Sequence, residues 1–164
     1  MRRRVVIAST VATAVTATAL AVTAAQADQD VTTRDSVAAA ATRNVIVVER
    51  AITDAVVDNA PKGDSAGDLL TFANPIYNRT NARKVGHNQG SCIRTVVGKA
   101  WQCSWTTWLD KGSLVVEGPF FDKHDSVLAI TGGTGRYASA RGVMHLHARN
   151  AKGTAFTFRF TIRD

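Results

Sequence analysis

The sequence predicts an all-β protein, an antiparallel barrel of about eight strands, and three observations predict it. Thr154 to Ile162 alternates strictly, with Phe156, Phe158, Phe160 and Ile162 on one face and Ala155, Thr157, Arg159 and Thr161 on the other, which is the period of a strand with one buried side. Breakers recur at short spacing, at Asn59-Ala-Pro-Lys-Gly63, Asn78-Arg-Thr-Asn81, Val97-Gly98, Asp110-Lys-Gly112, Asp122-Lys-His-Asp125, Gly132-Gly-Thr-Gly135 and Asn150-Ala-Lys-Gly153. No useful length of helical periodicity follows residue 27. Consecutive strands on short turns remove their edges most economically by closing on themselves.

The N-terminus comes first in order. Arg2, Arg3 and Arg4 precede an Ala/Thr/Val-rich stretch from Val5 to about Ala24, and Ala25-Gln26-Ala27 is the small-residue pattern of a signal peptidase site. Thr10, Thr13, Thr16, Thr18 and Thr23 dilute the stretch as a membrane span. The expected organisation is a signal peptide at 1–27, a flexible leader at 28–43 and a β-barrel domain at 44–164, secreted to the extracellular side with no stable membrane anchor after cleavage.

Strands are expected at Asn44 to Ile52, Asp68 to Asn74, Lys84 to Val97, Lys99 to Leu109, Gly112 to Gly118, Ser126 to Thr131, Ala140 to Arg149 and Thr154 to Arg163. A barrel of that size has an interior that side chains fill or that holds one small ligand. Trp101 and Trp105 share one face of their strand, with Trp108 on the other. Their large rings suit packing and the gripping of a flat conjugated ligand equally, and the sequence leaves both open.

Cys92 and Cys103 are symmetric about the turn at Val97-Gly98, so a hairpin there sets them opposite each other as a disulfide, the expected state in an exported chain.

Charge and spacing exclude several classes. Removing residues 1–27 takes three basic residues and no acidic one, lowering the net charge from +7 to +4. The remaining cations are scattered singly, which argues against a nucleic-acid partner. His145 and His147 fall with Val143 and Arg149 on the more polar face of their strand, and no third ligand stands at a fixed nearby spacing, so no metal is expected. Asp122, His124 and Asp125 read as a solvated turn. The Gly132-Gly-Thr-Gly135 run lacks the lysine and following helix of a phosphate loop, and no cofactor is expected. Asn78-Arg-Thr80 is a glycosylation sequon.

Several blocks in order carry a resemblance: Gly67-Asp-Leu-Leu-Thr-Phe-Ala-Asn-Pro-Ile-Tyr77, Gly86 to Cys92, Val115-Val-Glu-Gly-Pro-Phe120, and Leu128-Ala-Ile-Thr-Gly-Gly-Thr-Gly135 through Gly142. Together they resemble the allene oxide cyclase barrel and the dirigent proteins, over about Gly67 to Asp164. The resemblance implies an apolar lumen that cyclises an unsaturated epoxide or steers a reactive intermediate, and a homo-oligomer. It implies Glu49 and Asn74 as catalytic residues, with Leu70, Phe72, Cys92 and Phe120 lining the substrate site, and Trp105 is expected beside them as a ring suited to grip the ligand. The chain departs from the plant cyclases at Phe120, where a tyrosine is expected after Gly-Pro. It departs again between Ala51 and Ala66, where their serine-proline pair has no counterpart.

Two functions of different class follow. One is an exported isomerase or cyclase acting on a hydrophobic small molecule in its lumen. The other is a non-catalytic dirigent-like module that orients a ligand made reactive elsewhere, and a filled interior would leave a structural role.

Overall fold

The computed structural model describes residues 42–59 and 61–163. The expected signal peptide and nearly all of the expected leader lie outside the described residues. Ten strands follow in chain order: β1 (Thr42–Arg50), β2 (Ala55–Val57), β3 (Leu69–Phe72), β4 (Pro75–Asn78), β5 (Lys84–Val96), β6 (Ala100–Leu109), β7 (Gly112–Phe121), β8 (Ser126–Gly133), β9 (Arg141–Ala148) and β10 (Ala155–Arg163). Among the described residues, no helix is long and apolar enough to cross a membrane.

The ten strands fill eight places in a closed antiparallel ring. β3 and β4 are two halves of one interrupted strand, both pairing with β5, and β1 and β2 pair with β4 and β3 respectively. From β5 the chain meanders through β6, β7, β8, β9 and β10 to β1, and the β5–β6 pairing closes the ring. An antiparallel meander sends alternate connections to opposite ends. The 51–68, 97–99, 122–125 and 149–154 connections therefore form one rim, called upper here, and the 79–83, 110–111 and 134–140 connections form the lower.

The alternation of β10 does what its sequence predicts: Phe156, Phe158, Phe160 and Ile162 are buried in the core while Arg159 is exposed. Each such side chain contributes roughly 1.5–3 kcal/mol by leaving water. The lower half of the core is packed by Leu114, Ile130, Met144 and Tyr137, the last from a 3₁₀ turn at Gly135–Tyr137.

The expected strands are all present, and the differences are local. β1 begins at Thr42 because Thr42 and Arg43 pair with Arg163 and Ile162. β2 and β4 are extra; each is three or four residues long, too short for alternation to register. β7 runs past Gly118 through Pro119 to Phe121, since β8 stops pairing with it at Glu117 and only β6 continues alongside.

Candidate functional site

Glu49 sits near the upper end of β1, inward like Val45 and Val47, and only 5% exposed. Its Oε1 accepts hydrogen bonds from Asn88 Nδ2 at 2.7 Å and Asn74 Nδ2 at 3.1 Å. Asn74 occupies the break between β3 and β4. Its backbone N–H and C=O exchange hydrogen bonds with those of Asn88, at 2.9 Å each, so the sheet stays paired across the interruption.

The Asn74 side chain is fully committed. Its Oδ1 accepts from the N–H groups of Ile52 and Thr53 and from the Thr53 hydroxyl, at 2.9, 3.0 and 3.0 Å. The amide orientation is thereby fixed, leaving Nδ2 to divide its two protons between Glu49 and Asp54 Oδ1, the latter at 2.6 Å. Burial lifts the Glu49 carboxyl from an ordinary value of 4.5 to about 7; the Asn88 and Asn74 hydrogen bonds pull it back in part, and the Asp54 charge adds to the rise. A carboxyl so placed exchanges protons near neutral pH, the condition for a general acid or base.

Beside Glu49 lies an apolar lumen bordered by Leu70, Phe72, Cys92, Trp105 and Phe120, and also by Asp54, Cys103, Leu146, Phe156 and Phe158. Its void is about 40 Å³, the space of one or two waters, because the rings nearly fill it. Trp105 meets the Phe72 ring edge-on at 5.9 Å and Phe158 at 5.6 Å, and Phe120 meets Phe156 edge-on at 5.8 Å. Above the lumen, toward the 122–125 and 149–154 turns, a groove of about 470 Å³ shares Phe120, Leu146 and Phe156 with it.

The wall is rigidly built around Trp105. Cys92 and Cys103 stand opposite in register and form a disulfide, both buried on the lumen side. Gly90 faces Trp105 across the same pair of strands, and a Cβ there would overlap the Trp105 Cβ and the Ser104 carbonyl oxygen. Only glycine lets the two strands carry the indole at that point.

A second polar cluster closes the upper rim. Arg94, inward on β5, donates from Nη1 to both carboxylate oxygens of Asp122 at 2.9 and 2.8 Å, brings Nε to Asp64 Oδ1 at 2.6 Å, and lies 4.0 Å over the Trp101 ring. The 58–68 connection held by Asp64 is itself knitted by Asp68, whose carboxylate takes the N–H groups of Ser65 and Asn59; these hold its pKa below the ordinary range.

Residues 47–159 match the allene oxide cyclase family. The chain belongs to that family. Solved barrels of similar shape include a pyocyanin demethylase (22% identity, TM-score 0.65, covering 73% of this chain and 99% of the other). A Diels-Alderase from Streptomyces koyangensis aligns at 14% identity and TM-score 0.63, over 78% of this chain and 70% of its own. A pterocarpan synthase dirigent protein aligns at 16% identity and TM-score 0.59, over 74% and 93%.

Against the expectations for an allene oxide cyclase barrel, the structure brings Glu49, Leu70, Phe72, Cys92, Trp105 and Phe120 to one lumen. Asn74 stands behind Glu49, touching it without bordering the void. Asn88 escaped the sequence reading although its signal was present: it is four residues from Cys92, hence on the same inward face of β5. Asp54 carried no signal, lying in an irregular connection. His145 and His147 are exposed on the outer face, with His147 Nδ1 2.9 Å from Asp125 Oδ1.

Proposed function

We propose that this protein is an exported member of the allene oxide cyclase family that binds a hydrophobic small molecule in its lumen and uses Glu49 to move a proton during an isomerisation or cyclisation. The observation that carries this reading is a single carboxyl, buried against aromatic rings, fixed by two amides and tuned to about 7. Asn74 and Asn88 act as positioning residues: they aim the carboxyl and stabilise its charged form. The aromatic walls hold a reactive molecule in one conformation and keep water away. Barrels of this fold named for demethylation, Diels-Alder chemistry and dirigent action lend the reading support.

A guest larger than a water or two needs Phe120 and Phe156 to swing aside, with access from the groove above them. The narrow void also favours a second reading, a dirigent-like module without catalysis whose lumen only orients part of a ligand. Export rests on the N-terminal pattern, with the Cys92–Cys103 disulfide in keeping; N-terminal sequencing of secreted protein should begin near Asp28.

The test is incubation of the mature protein with unsaturated epoxides and oxidised phenols, followed by chiral product analysis. Stereochemically enriched product that Glu49→Gln loses by about 10²-fold or more supports catalysis. Enrichment that survives the substitution supports the second reading, and racemic product throughout overturns both.

A further inference from the structure

Trp105 presents an unusual donor. Its indole N–H can only donate, it is shielded from solvent, and it has no hydrogen-bond partner among the described residues. A buried donor left unpaired costs about 1–3 kcal/mol, which phenylalanine at the same place would not incur. Thr107, two residues further along the inward face of β6, also carries an unpartnered buried hydroxyl, but it does not border the void. Trp105 does border it, between Phe72 and Phe158, and is braced from behind by Gly90 and by the Cys92–Cys103 bridge beginning two residues away.

A fixed, unpaired donor on a ring-lined wall is what a ligand's acceptor atom would find. We infer that Trp105 is a specificity-determining residue, and that the lumen selects a flat, conjugated molecule bearing a hydrogen-bond acceptor, such as a carbonyl oxygen, which takes the indole N–H as the ligand displaces the rings around it. The inference rests on the proposal that the lumen binds a small molecule, and it adds the chemical class. Flatness follows from the walls: Phe72, Phe156, Phe158 and Trp105 border the lumen with planar rings, against which a planar molecule packs when those rings part. The acceptor follows from the donor-only chemistry of the indole. An apolar ligand without an acceptor would leave the N–H as it is, and one bringing a donor would add a second unpaired group.

The test pairs 1-indanone with indane, which share a carbon skeleton and differ by the carbonyl. Both are titrated into the full chain labelled with ¹⁵N, with Trp105→Phe used to assign the Trp105 indole resonance. The expected result is that 1-indanone moves the Trp105 indole proton downfield and binds roughly five-fold more tightly than indane, the gain of about one hydrogen bond. In Trp105→Phe, whatever the change in absolute affinity, the ratio of ketone to indane affinity should fall to about one.

Equal affinity for the two compounds, or ketone binding in the lumen that leaves the indole proton unmoved, overturns the Trp105 assignment and leaves lumen binding standing. Failure of both compounds to shift any lumen resonance, in the native chain and in a Phe120→Ala variant that enlarges the void, overturns lumen binding and this inference with it.

Discussion

Asn74 Nδ2 lies 3.1 Å from Glu49 Oε1 and 2.6 Å from Asp54 Oδ1, so one amide group separates two carboxylates and gives a proton to each. That arrangement keeps Glu49 ionisable in a place where burial alone would hold it neutral.

Glu49 should make stability depend on pH in a direction opposite to a salt-bridged acid. Its proton is held more tightly in the folded chain than in the unfolded one, so its share of stability is complete below about pH 4.5, falls as pH rises to about 7, and is flat above that. The loss is roughly 3 kcal/mol across the window. Denaturant titrations from pH 4 to 8 should show this slope in the native chain, and Glu49→Gln should remove it. If catalysis uses the ionised carboxylate, activity should climb through about pH 7.

Asn88→Ala removes the shorter of the two hydrogen bonds to Glu49. The Glu49 pKa should move further above its ordinary range, read from its side-chain ¹³C carboxyl resonance during a pH titration, with about 1–3 kcal/mol lost from the fold at neutral pH. An unchanged titration would mean that the amide does not support the charge.

Gly90→Ala forces a methyl group against the base of the Trp105 side chain and the Ser104 carbonyl. Steric relief must come from separating β5 and β6, so a loss of about 2–4 kcal/mol and a shifted Trp105 fluorescence maximum are expected. Ser91→Ala, one residue along on the exposed face, is the control and should fall within about 0.5 kcal/mol of native.

Arg94→Ala leaves Asp64 and Asp122 without their shared cation and exposes the Trp101 ring. The cost should be about 2–4 kcal/mol. Limited proteolysis should cut within 58–67 faster than in native protein, because Asp64 no longer ties that connection down. Unchanged cleavage would show that the Asp68 turn holds it alone.

The long strands were legible in the sequence because each has enough residues for period two to show, and the Phe156, Phe158, Phe160 row announced the core directly. The disulfide was legible because a hairpin makes register a matter of counting. What could not be read was the joining of distant segments. Glu49 meets Asn88 from 39 positions away, and whether a strand glutamate faces water or a buried amide depends on which strands flank it. Asn74-Pro75 looked like a strand end, and it is one; the chain resumes as β4 because β5 is long enough to pair with both halves. The narrowness of the lumen was beyond reach for a different reason, since it depends on how five rings tilt against one another.

The closed ring divides the labour of the chain. Glu49 and its amides are anchored in paired strands, whereas the groove above Phe120 and Phe156 is walled by the 122–125 and 149–154 turns, which no strand pairing constrains. On the proposed function, substitutions in those turns would alter which guest enters while leaving Glu49 and the amides that hold it in place.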